Sequence, residues 1–173
     1  MDGFTLRHLT LAVALSTCMG TAFAATSNDF VDSAAAGGIA EVETSRLALE
    51  KSSSADIKAF ANMMITDHAK ANDELAALAK KNDIEMPDST TLVKQAKEKI
   101  LDLRDESFDA AYANNQVKAH EDTIELFKKE ANTVTDDRTK GATDLKGFAQ
   151  KMLPALEKHL EMAKKLQAAH PSK

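Results

Sequence analysis

At 173 residues, with 43% hydrophobic and 28% charged residues and a formal charge of −5, the chain has the size of one ordinary domain and an acidic balance. Lysines and acids interleave along it, which leaves no basic stripe for nucleic acid, and the single cysteine, Cys18, excludes a disulfide framework. With no tryptophan and one tyrosine, Tyr112, the interior has to be built from Ala, Leu, Ile, Val, Met and Phe.

Residues 1–24 read as a secretory signal peptide. Arg7 supplies the positive charge, an apolar run extends from Leu9 through Leu15 to Ala22, and Ala22-Phe23-Ala24 is the small-x-small pattern of a cleavage site. The run is too short for a transmembrane span. Export to the periplasm and a single helical domain over residues 25–173 are therefore expected. Leu15-Ser16-Thr17-Cys18 resembles a lipoprotein box, but threonine stands where such boxes carry Gly, Ala or Ser, which argues against lipid attachment at Cys18. No segment of the mature chain is apolar for long enough to cross a bilayer. Peripheral membrane association, an envelope partner and a homo-oligomer all remain open.

Everything after Asn28 reads helical, because Ala, Glu, Lys, Leu and Met dominate and no alternating segment suggests a strand. A first helix is expected from Asn28 or Asp29 to Lys51, with Val31, Ala35, Gly38, Val42 and Leu49 turned inward. The serines at 52–54 interrupt it, and Ser53 with Asp56 resembles a capping box for a second helix running to Lys81. Asn82-Asp83 and Pro87 then force a turn. A third helix begins near Ser89, changes phase at Asp105-Glu106-Ser107, resumes at Phe108 and fades after Ala131. A loop over 135–141 leads to a fourth helix, capped by Thr143 or Asp144, which runs to Ala169 with a kink at Pro154. Short links between long amphipathic segments predict an all-α, up-and-down antiparallel bundle with a broken third helix.

Three histidines occupy seam positions where such a bundle ordinarily places leucine. His68 follows Ile57, Ala61 and Met64; His120 follows Ala113 and Val117; His159 follows Met152 and Leu156, all in steps of three and four. Imidazole binds metals, relays protons or joins an uncharged hydrogen-bond network. Glu41, midway along the first helix, is the candidate carboxylate to face the rings across Ala34, Gly38, Ser45 and Ala48. Glu43 competes for the inward position, and the sequence leaves that choice open. A Glu41–His68–His120–His159 set would suit zinc, iron or manganese, and Met64, one turn before His68, would suit copper. A structural network and histidines that never meet are the competing readings. Asp67 and Glu121 point away from their neighbouring histidines and read as solvated acids or as partners behind the ligands. The dinuclear carboxylate arrangement needs Glu-x-x-His, and Ile65, Val117 and Leu156 stand where the glutamates would be. No nucleophile elbow, phosphate loop or dinucleotide fingerprint occurs, so no catalytic residue is assigned.

Several phrases resemble one exported bacterial family, that of domain of unknown function 4142. They include Gly38-Ile39-Ala40-Glu41-Val42-Glu43, Ile57-Lys58-Ala59-Phe60-Ala61, Met64-Ile65-Thr66-Asp67-His68, Phe108-Asp109-Ala110-Ala111-Tyr112 and Leu153-Pro154-Ala155-Leu156-Glu157-Lys158-His159. The resemblance implies a ferritin-like helical bundle in a periplasmic or outer-membrane-associated protein, with no settled activity. It maps the family's pattern onto Asp67, His68, His120 and His159, with Glu41 and Glu43 in the opening helix. Together the readings leave three candidates: a structural or binding protein of the periplasm, a mononuclear metal protein or metalloenzyme, and a protein-interaction module.

Overall fold

The computed structural model describes residues 27–100, 108–135 and 141–172, with backbone alone at 98–100. The expected signal peptide with Cys18, the phase change at 105–107 and most of the 135–141 loop lie outside the described residues. The described chain forms five helices: α1 Asp29–Lys51, α2 Ala55–Lys81, α3 Ser89–Ile100, α4 Phe108–Ala131 and α5 Ala142–Ala169. No strand occurs among the described residues, and no helix there is long and apolar enough to cross a membrane.

Local chemistry sets the helix ends. The Asn28 side chain accepts the Val31 N–H at 3.0 Å and starts α1 with Asp29 and Asp32 in its first turn. The second helix begins one residue later than the expected box. Ser54 is its extended N-cap, while Asp56 takes the Ser54 hydroxyl and the Ile57 N–H. Asp88 accepts the Thr91 N–H at 2.9 Å and opens α3. Neither Thr143 nor Asp144 caps α5. Gly141 does so at φ +78°, where a Cβ would stand 3.0 Å from the Asn82 side chain. Asp144 instead ties the end of α2 to the start of α5 through Lys81 and Asn82. The last helix continues unbroken through Pro154.

Four helices close a ring, α1 against α2 and α4, and α5 against α4 and α2. Each neighbouring pair is antiparallel. Phe30 meets Phe127 at one end of the α1–α4 pair, and Ser45 meets Tyr112 toward the other. Glu74 with Lys151 and Asp56 with His170 give the same sense to α2 and α5. Since α2 and α4 thus run the same way, the chain must return between them. The helix α3 supplies that return along α1, with Lys97 3.6 Å from Glu43 and Leu92 packed toward the Phe30 end. The broken third segment is two helices of opposite sense, an all-α bundle with one crossover.

The apolar core is divided in two. One cluster gathers Phe30, Leu75, Ile124, Phe127, Phe148 and Leu156. The other gathers Ile57, Phe60, Met64, Tyr112, Val117 and Ala163. Along α2 the chain passes from Met64 in the second cluster to Leu75 in the first, along α4 from Val117 to Ile124, and along α5 from Leu156 to Ala163. The residues at the three steps are His68, His120 and His159. A polar layer lies between two oily ones.

Candidate metal centre

The three predicted seam histidines converge. Their ring centroids form a nearly equilateral triangle, 5.6 Å for His68–His120, 5.7 Å for His68–His159 and 5.5 Å for His120–His159. All three are buried, and one ligating nitrogen from each lies within 4.8 Å of the other two. Helix phase puts them there, since each ring stands three or four residues from buried apolar neighbours on its own helix.

In His120 and His159 the two ring nitrogens are not equivalent. His120 Nδ1 lies 2.8 Å from the backbone oxygen of Gln116, one turn earlier, an oxygen that can only accept. That proton assignment leaves Nε2 with its lone pair. His159 Nε2 lies 3.0 Å from the Asp67 carboxylate on α2, which likewise fixes the proton on Nε2 and frees Nδ1. The nitrogens that remain, His120 Nε2 and His159 Nδ1, are buried without a hydrogen-bond partner, and so is His68 Nε2. One orphan nitrogen belongs to each ring. Leaving a buried polar atom unpaired costs about 1–3 kcal/mol, so three together mark a place short of a ligand.

Burial also sets their charge. Desolvation, reinforced by the neighbouring rings, pushes His68 from its ordinary 6.5 down to about 3. Burial takes His120 to about 4 against the pull of the Gln116 carbonyl, and it lowers His159 against the pull of Asp67. Three neutral imidazoles near neutral pH are the form that binds metal.

Of the two glutamates that competed for the inward position, Glu41 is the more deeply buried, at 4% exposure, but it does not join the group within 4.8 Å. It lines a separate groove of about 320 Å³ with Gly37, Ala40, Ala96 and Ala119, and Gln116 lies beside it. Burial raises its carboxyl from 4.5 to about 7, while Gln116 pulls the other way. Its Oε2 and both amide atoms of Gln116 have no partner. Glu43, with its side chain 10% exposed, pairs with Arg46 on its own helix and with Lys97 on α3. Glu121 pairs with Lys164 at 2.9 Å and takes no part. Asp67 is the acid paired with a ring of the cluster, and it meets His159 across the helix interface rather than its sequence neighbour His68. Gln116 went unnoticed in the sequence. Its signal was a polar residue one turn before His120 on an otherwise apolar face.

A crossover bundle with three inward imidazoles between two apolar clusters defines an all-α protein with a candidate mononuclear centre. The family model described as "Domain of unknown function (DUF4142)" matches residues 12–166, and the chain belongs to that family. No curated protein and no solved structure matches it.

Proposed function

We propose that the chain is an exported, periplasmic bundle protein with a binding role, holding one transition-metal ion on His68, His120 and His159. Two observations carry this reading: each buried ring has a buried nitrogen without a partner, and one ligating nitrogen of each lies within 4.8 Å of the other two. A structural network would have used those nitrogens to bond the rings to one another or to neighbouring groups. An all-imidazole donor set suits zinc or copper better than manganese, which favours carboxylates, and it does not suit magnesium or calcium. The 4.8 Å limit on the nitrogen separations is close enough for small ring rotations to reach bond lengths of about 2.0–2.1 Å. Export rests on Arg7, the Leu9–Ala22 run and the Ala22-Phe23-Ala24 site. The interaction-module reading has less support, since the large hydrophobic that stands exposed among the described residues is Val134 alone.

Metal analysis of the protein purified after export, followed by competitive titration with zinc, copper, iron and manganese, tests the proposal. One equivalent of zinc or copper is expected. His68→Ala, His120→Ala and His159→Ala should each abolish tight binding. Unchanged stoichiometry in any of the three rejects the site.

A further inference from the structure

Accepting the metal reading, we propose that the cavity beside the histidines is a pocket for a small apolar monocarboxylate, which supplies the anionic ligand that the three imidazoles lack. Three neutral rings leave a divalent ion with its full charge, and burying that charge without a counter-ion is costly. None of the nearby acids stands among the ligand atoms. Asp67 accepts the proton of His159 Nε2, Glu74 pairs with Lys151, and Glu41 lines the other groove beside Gln116. An external anion is what remains, and a three-histidine site has a fourth position to receive it.

The cavity, of about 260 Å³, lies on one side of the centre, with His68 and His159 forming part of its lining. Leu75, Phe127, Phe148 and Met152 make apolar walls; at the rim Lys70 is exposed, Lys151 is paired with Glu74, and Asp67 is turned to His159. An enclosed cavity of about 150 Å³ accepts a benzene ring, so this volume has room for a ring or short chain bearing one carboxylate. Apolar walls reject a fully hydrated inorganic anion, whereas the loaded centre attracts the carboxylate end. Both requirements are met by benzoate or a short fatty acid.

Cobalt(II)-loaded protein provides the test, because its visible absorption reports the fourth ligand. Cobalt stoichiometry is read first, then benzoate, acetate and azide are titrated separately. Benzoate should shift the spectrum and bind at least about tenfold more tightly than acetate, as burial of a ring implies. Ala71→Phe, which fills the cavity from α2, and Ala155→Phe, which fills it from the exposed rim on α5, should keep cobalt and the azide response but lose that preference. Glu41→Gln should leave the cobalt spectrum unchanged. The proposal is overturned if benzoate binds no better than acetate, if its preference survives both filled cavities, or if Glu41→Gln alters the spectrum. Failure to bind cobalt, zinc and copper alike would overturn the metal reading itself, and stoichiometry separates that outcome from the others.

Discussion

Asp67 shows how one atom's partner decides what another can do. Its carboxylate holds the His159 proton on Nε2 and so turns Nδ1 inward as a lone pair. Removing such a partner commonly weakens a metal site by roughly 10–100-fold. Asp67→Ala should lose zinc affinity in that range, and Asp67→Asn, which keeps an acceptor oxygen without the charge, should fall between it and the wild type. Glu121→Ala should have no effect, because that carboxylate pairs with Lys164. Competition with a chromophoric chelator measures all three; equal losses in Asp67→Ala and Glu121→Ala would contradict the assignment. The same burial predicts a pH signature in the metal-free protein. The unfolded chain protonates its histidines near 6.5, whereas folded His68 and His120 hold out to about 3 and 4. Stability is therefore complete above 6.5 and falls as pH drops toward 4. Glu41 slopes the other way, since its folded value of about 7 exceeds its ordinary 4.5, so its contribution is full below 4.5 and lost as pH rises through 7. Urea unfolding should show stability rising from pH 5 to 6.5 and then changing little to pH 8, where the last of the histidine gain offsets the last of the Glu41 loss; Glu41→Gln should leave a continued rise to pH 8.

Between helices, α1 and α2 come close at Gly38. A Cβ there would run into the side-chain amide of Asn72, so α1 and α2 meet over a residue that can carry a side chain only if Asn72 moves. Alanine would gain about 1 kcal/mol of helix propensity but must displace Asn72. Gly38→Ala should be destabilising by about 1 kcal/mol net, and Gly38→Ala combined with Asn72→Ala should recover it, a coupling that a double-mutant cycle reads directly. Exposed Gly147, with nothing near its missing Cβ, provides the contrast: Gly147→Ala should stabilise α5 by about 0.5–1 kcal/mol. Chemical denaturation measures each. These packing relations also explain what the sequence could reveal. The helix spans and the three rings were legible because steps of three and four fix phase on each helix separately, and phase alone carries His68, His120 and His159 inward. Glu41 was not legible in the same way. The helix α1 is covered on two sides, by the ring and by α3, so it buries adjoining rows such as Gly38, Glu41, Val42 and Ser45. Periodicity left Glu41 and Glu43 in competition for the inside, and it says nothing of which of the two partners a buried glutamate faces. The phase change at 105–107 had the same ambiguity, since a bend and a chain reversal look alike in a one-dimensional pattern.

The whole molecule carries a polar layer between two apolar clusters, and that arrangement has a cost. Leucine at positions 68, 120 and 159 would join the clusters into one continuous core, replacing three orphan nitrogens with groups that need no partner. Exchanging unsatisfied buried polar groups for apolar ones of similar volume is neutral to stabilising, and a gain of about 2–3 kcal/mol would raise the melting temperature by roughly 5–10 °C in a domain of this size. The metal-free wild type should therefore melt below the His68→Leu, His120→Leu, His159→Leu triple variant. Zinc should reverse the comparison, because an ion that binds the folded state alone adds stability in proportion to the logarithm of its excess over Kd. The variant has nothing for zinc to bind and should not respond. If the triple variant instead melts below the metal-free wild type, the rings stabilise the fold without an ion. The layer would then be part of the scaffold, and the case for a ligand-seeking centre would lose its foundation.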